Sequence, residues 1–268
     1  EVDGPQAQVT QVYEYGQSRL TQQIVLLSGS RRLDFVTEVD WQERGKMLRT
    51  SFPVNVFARE ATCDIQFGSI KRPTHRNTSW DEAKFEVCAH KWVDMSQGDY
   101  GVALLNDCKY GHQVIDNILD LNLLRSPSYP DPQADRAGHK FTYALYPHAG
   151  DHVTGGVVRQ GYELNMPLSV LPGRGSEKSQ TSFLCVEAPN VIVEAAKRAE
   201  DSDDIVVRLY ECHVAGVTCP ITFGFPAKAA WLTNLLEEPC EELPVVSNAV
   251  EVEFKPFEIQ TVKIAVGN

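Results

Sequence analysis

The chain has 268 residues, 43% of them hydrophobic and 23% charged, a composition that suits a globular protein with room for a large core. Its formal net charge of -11 and pI near 5.1 argue against nucleic acid or an anionic membrane as a partner. No apolar run approaches the roughly 18 residues needed to span a bilayer.

Taken from the N-terminus, EVDGPQAQVTQ carries neither an initiator Met nor a signal peptide, and the chain reads as a segment of something longer. AQVTQVYEY is strand-like. In RLDFVTEVDW, Leu33, Phe35, Val39 and Trp41 alternate with Asp34, Glu38 and Asp40, the pattern of a half-buried strand. Cys63, Ile65 and Phe67 repeat it, as do Phe141, Tyr143 and Leu145. VEAAKRAED (193–201) has the composition of a helix. It lies between two strand-like runs, however, and is read as a strand pair with a polar loop. Ile205, Val207 and Leu209 form the next face, and Val250, Val252 and Phe254 continue it towards Phe257 and Ile259. Turn signals stand at SGS (28–30), QGD (97–99), PHAGDH (147–152) and LPGRGSEKS (171–179). The expectation is an all-β fold of antiparallel strands. LPGRGSEKSQ divides a main β region, residues 1–172, from a C-terminal β unit, residues 180–268.

The seven cysteines are scattered and form no CxxC pair, which argues against a disulfide framework or a thiolate zinc site. They are expected to be reduced and mostly buried in an intracellular protein. That expectation also discounts Asn77-Thr78-Ser79 as a glycosylation acceptor.

Three polar clusters follow predicted strands, where loops build binding rims. They are RPTHRNTSWD (72–81), with Arg72, His75, Arg76 and Asn77; LLNDCKYGH (104–112), with Asn106, Asp107, Lys109 and Tyr110; and Arg125 in LLRSP. Each also fits a bland turn network or a structural ion pair. Trp80 is read as core. The catalytic templates GxSxG, GxxxxGK[ST] and HExxH are absent, and the histidines show no compact metal spacing. Cys108 lacks an evident base.

The stretches VDWQERGKMLRTSFPV (39–54), IQFGSIKRPTHRNTSWDEAKFEV (65–87), YGVALLNDCKYGH (100–112), LNLLRSPSYPDPQAD (121–135), HKFTYALYPHAG (139–150) and AEDSDDIVVRLYE (199–211) resemble the C-terminal β-rich part of glycoside hydrolase family 38, the retaining α-mannosidases, closest to the cytosolic class. Gly45 and His112 stand where the family pattern has His and Tyr. The resemblance implies a galactose-mutarotase-like supersandwich with a smaller C-terminal sandwich. It implies that the Asp nucleophile, the acid/base Asp and the zinc ion belong to a catalytic domain outside this chain, so no catalytic or metal residue is expected here. It implies that the chain packs on that domain and lends loops to a pocket for α-mannosides of oligosaccharides. Arg125, Asn106, Asp107 and Tyr110 are the expected substrate contacts. Arg72, His75, Arg76, Asn77 and Lys109 are expected at the pocket rim or inter-domain face. A cytoplasmic location is implied, and homo-oligomerisation is left open. The alternative is a free-standing carbohydrate-binding or mutarotase-like β-sandwich.

Overall fold

The structure, a computed structural model, describes residues 2–172 and 181–267. Two compact units divide the chain, Glu1–Ser169 and Val170–Asn268. Most of the expected dividing stretch, residues 173–180, lies outside the described residues.

The first unit begins with strands β1 (Val2–Asp3), β2 (Gln6–Tyr15), β3 (Ser18–Leu27), β4 (Leu33–Asp40) and β5 (Leu48–Pro53). There follow β6 (Glu60–Ile65), β7 (Gly68–Pro73), helix α1 (Ser79–Glu82), β8 (Val87–Cys88), β9 (Trp92–Ser96) and β10 (Tyr100–Asn106). The unit closes with β11 (Gly111–Ile115), β12 (Ile118–Leu124), β13 (Gly138–Ala149) and helix α2 (Val157–Asn165). A nine-stranded antiparallel sheet runs in the order β1-β2-β3-β4-β13-β10-β9-β6-β7, and a four-stranded sheet in the order β5-β12-β11-β8. Alternation explains the pairing of the two layers. Phe35, Cys63, Met95, Leu104 and Tyr143 point inward from the larger sheet and meet Val114, Leu119 and Leu121 from the smaller one. The outer face of the large sheet carries α2, whose Val157, Val158 and Gly161 are buried. β1 covers little of its neighbour: Val2 pairs with Ala7 and Asp3 with Gln6, and residues 8–15 of β2 have no strand on that side among the described residues.

The second unit contains β14 (Leu184–Val186), β15 (Val191–Arg198), β16 (Ile205–Glu211), β17 (Val217–Phe223), β18 (Ala227–Thr233), β19 (Pro239–Leu243), β20 (Ala249–Phe254) and β21 (Ile259–Val266). A three-stranded sheet, β14-β17-β20, faces a five-stranded one, β15-β16-β21-β18-β19. Ile221, Phe223, Val252 and Phe254 of the first pack with Val207, Leu209, Val262 and Ile264 of the second. Glu211 is wholly buried at the end of β16, where it accepts hydrogen bonds from Asn190 Nδ2 (3.0 Å), His213 N–H (2.7 Å) and Phe257 N–H (3.1 Å).

The all-β antiparallel expectation holds, and residues 191–198 form a strand despite their helical composition. Other expectations give way. The β6 alternation stops at Ile65, because Phe67 takes φ 53° in the turn. Phe257, at φ 57°, likewise breaks the expected continuous run into β20 and β21. Trp80 is 80% exposed, since α1 buries none of its residues. Cys63, Cys212 and Cys219 are buried, but Cys88, Cys108, Cys185 and Cys240 are exposed, so most of the seven face solvent; all are free thiols.

Candidate functional site

One loop end of the first unit gathers several of the sequence-predicted residues. β10 finishes at Asn106, which is 1% exposed. Its Nδ2 donates to His90 O at 2.8 Å, while its Oδ1 accepts the N–H groups of Cys108 (3.1 Å) and Lys109 (2.6 Å). That turn sends the chain back into β11. The Asn106 amide, expected to contact sugar, is buried here and engaged in shaping the loop. Asp107 is exposed and secures the loop to β13: its N–H donates to Thr142 O (3.1 Å) and its Oδ2 accepts Thr142 N–H (2.8 Å). The Lys109 ammonium lies 4.5 Å from the centroid of the Phe141 ring. Tyr110 is exposed, its ring set edge-on to His90 at 5.2 Å. Burial, and then Asp107, push the Cys108 thiol up to about 11, the opposite of an activated nucleophile.

Arg125 emerges where β12 ends. β11 and β12 are antiparallel, with His112 opposite Leu121, so Tyr110 and Arg125 share one end of the hairpin. Asp135 holds the backbone there, its Oδ2 accepting the N–H groups of Arg125 (3.0 Å) and Ser126 (2.9 Å). Ser126 sits at φ 46°, takes a hydrogen bond from Trp41 Nε1, and accepts Gly45 N–H at its carbonyl (2.9 Å). The Ser126 N–H is the main cause of a lowered Asp135 pKa; Arg125 N–H and the charges of His139 and Lys109 add to it against the opposing effect of burial. The Arg125 side chain is exposed, and its guanidinium makes no hydrogen bond or ion pair among the described residues. Trp41 and Leu123 also line a mainly apolar recess of about 490 Å³ with Tyr15 and Met47.

The RPTHRNTSWD stretch divides from this group. Arg72, in β7, donates from Nη2 to Cys88 O at 3.1 Å. Asp116, in the β11–β12 turn, donates its N–H to Thr74 O at 2.7 Å. His75 and Asn77 border a recess with Asp116 and Asn117, at the opposite end of the hairpin from Tyr110 and Arg125. Arg76 is exposed, and the Thr78 hydroxyl caps α1 by accepting Asp81 N–H (3.1 Å). The predicted residues thus form two groups rather than one face.

No three His, Cys, Asp or Glu residues converge to hold a metal ion among the described residues. Sequence reasoning missed a buried pair on the outer face of the large sheet, His148 Nε2 and Asp94 Oδ1 at 2.8 Å. Gly101 and Gly155 make room for it, since a Cβ at either would come within 2.4 Å of the imidazole. The two partners stand 54 residues apart on separate strands, and no local motif announces them.

Comparison with known proteins adds kinship. Residues 2–133 match the model of the glycosyl hydrolases family 38 C-terminal domain, and residues 190–262 match that of the glycosyl hydrolases family 38 C-terminal beta sandwich domain. The chain is 44% identical over 250 residues to alpha-mannosidase 2C1 of Mus musculus, covering 91% of the chain and 24% of that protein. It is 45% identical over 248 residues to alpha-mannosidase 2C1 of Homo sapiens, covering 90% and 24%. The chain therefore spans about a quarter of the length of these relatives. A crystal structure of an alpha-mannosidase from Enterococcus faecalis V583 shares the fold, with a TM-score of 0.77 at 22% identity, over 92% of this chain and 29% of that one.

Proposed function

Since the chain belongs to glycosyl hydrolase family 38, of which it carries the C-terminal domains, we propose that it is the non-catalytic part of a retaining, zinc-dependent α-mannosidase that removes terminal α-mannosides from oligosaccharides. In this reading it packs on a catalytic domain and presents the loop end with Arg125 to the sugar pocket, in a cytoplasmic enzyme. Free thiols at all seven cysteines agree with that compartment. The described residues offer no set of ligands fit for zinc, so no chemical step is assigned to a metal here. The free-standing sandwich draws no support from relatives in which the matching region is a quarter of a longer chain.

The observation that carries the pocket role is the gathering of two loops at one end of the hairpin, with the Arg125 guanidinium unengaged above a backbone fixed by Asp135. A guanidinium offers five donors in a rigid fork and stays charged at any working pH, which suits sugar hydroxyls or a neighbouring carboxylate. Asp107, Lys109 and Tyr110 supply further polar groups beside it. Arg72, His75, Arg76 and Asn77 belong to a separate docking or rim surface.

The test is Arg125→Ala in the full-length enzyme. A lost charge-assisted hydrogen bond costs about 1.5 to 3 kcal/mol, or roughly ten- to a hundredfold in kcat/KM, with the thermal midpoint nearly unchanged. An unchanged kcat/KM per folded molecule removes Arg125 from the pocket. The isolated 268-residue chain, assayed beside it with an aryl α-mannoside and added zinc, is expected to show no turnover.

A further inference from the structure

The open flank of the first sandwich, between β7 and the pair β8–β11, encloses a recess of about 170 Å³. Buried core residues Ala61, Cys63 and Val114 line part of it. Arg72 from β7, His75 just beyond it and His112 from β11 also line it, together with Lys71, Asp81, Lys84, Glu86 and Gln113 at its margin. An apolar flank needs none of them. His112 lies on the inward face of its strand with Val114, opposite Leu121.

Arg72, His75 and His112 present buried atoms with no hydrogen-bond partner among the described residues. His112 is 0% exposed, and among the described residues neither ring nitrogen reaches a partner with full hydrogen-bond geometry, the Lys109 backbone making only a weaker approach. The Nδ1 of His75 and the Nε of Arg72 are likewise buried and unpaired. Burial holds the His112 pKa down to about 4, although the Lys109 backbone and the Asp120 charge pull the other way. The two carboxylates of the lining, Glu86 and Asp81, each already have partners. Glu86 pairs with Arg49, while Asp81 accepts from the Thr78 hydroxyl (2.7 Å) and lies 3.9 Å from Lys84 Nζ. Arg72 donates to the Cys88 carbonyl at 3.1 Å and lies against the Cys63 thiol, and its positive charge has no carboxylate partner among the described residues. Buried polar atoms are nearly always satisfied, so four orphaned nitrogens bordering one small recess call for an occupant with acceptor oxygens.

We infer that this recess is a binding site for a small oxyanion, gripped by the Arg72 guanidinium and by the ring N–H groups of His75 and His112. The volume sets the size. It admits about five water molecules at roughly 30 Å³ each, or a carboxylate or phosphate of a few heavy atoms. A planar guanidinium with free Nε suits either anion, and a neutral imidazole still donates one N–H. The site is distinct from the Arg125 loop end and does not depend on the mannosidase reading.

Equilibrium dialysis of radiolabelled phosphate and radiolabelled acetate against the full-length protein, at constant ionic strength set with chloride, tests it. The wild type should bind one more equivalent of at least one probe than Arg72→Met. Arg72→Lys keeps the charge but loses the fork, and should weaken that equivalent about tenfold. Phosphate alone, acetate alone or both identify which oxyanion the recess prefers, and each result supports the site. Equal stoichiometry for both probes in wild type and Arg72→Met overturns it and leaves a recess filled by water. Should Arg72→Met fail to fold, a wild-type crystal soaked in each anion decides: an oxyanion within hydrogen-bond distance of Arg72 Nε supports the site, and water alone there refutes it.

Discussion

Asp135 does more for the loop end than its exposed neighbours. One of its oxygens fixes the backbone of both Arg125 and Ser126, and its own carbonyl lies 2.8 Å from His139 Nε2. Its carboxyl is held below the ordinary value of 3.8, chiefly by the Ser126 N–H. A carboxylate depressed by folding contributes stability that is present above its unfolded pKa and lost as pH falls through the lower folded one. Asp135→Asn should therefore cost about 1 kcal/mol at pH 7, a charged hydrogen bond discounted for partial exposure. The gap should narrow as pH falls below the ordinary value of 3.8 and the wild-type group protonates; urea midpoints followed from pH 7 into that acid range check both sign and direction. A gap that does not narrow on acidification would contradict the charge-based account. None of this was legible in QAD, since the partners of Asp135 stand about ten residues back along the chain. Arg125 was legible because a cation after an apolar strand emerges at its end. Asn106 was half legible: its place in the loop was foreseen, but the inward turn of its amide follows from the path of the segment carrying His90. Trp80 was misread because ring size signals core only when a neighbouring element exists to cover it.

At the level of elements, alternation revealed β4, β13 and β16, whose two faces meet different solvents. It failed for α2. The segment VVRQGYELN buries two valines and a glycine, and its N-cap is Gly156 at φ 67° with no side-chain cap, so both usual helix signals are missing. Gly161 lets the helix approach the sheet, because a Cβ there would lie 2.8 Å from Cδ1 of Trp92, itself 1% exposed and stacked on His152. Two effects of Gly161→Ala oppose each other. Helix propensity gains about 1 kcal/mol, whereas overpacking against a fixed indole costs about 1 to 3 kcal/mol. The clash should win: a net loss near 1 kcal/mol, with a shift in Trp92 emission, is expected in denaturant titration. A stabilised variant would mean that the indole yields.

For the whole chain, strand order is what a sequence of this kind withholds. Gln22 Nε2 donates to Tyr143 OH at 2.8 Å across 121 residues, and β4 lies beside β13 rather than β5. Alternation gives each strand its faces but not its neighbours, and kinship to a known family supplied what periodicity could not. The sparse cover of β2 by β1 has one practical consequence. Residues 9–15 offer a row of backbone donors and acceptors with no strand beyond them among the described residues, and Val9, Val12, Tyr13 and Tyr15 there are 50 to 57% exposed. Such a margin is a template for a further strand, and another molecule can supply it. The 268-residue chain produced alone should therefore self-associate as its concentration rises, and light scattering should detect this. Thr10→Lys and Val12→Lys together, placing charge along that margin, should keep it monomeric without moving its thermal midpoint by more than about 2 °C. Crystallisation and storage of the fragment would then be governed less by its two cores than by seven residues near its N-terminus.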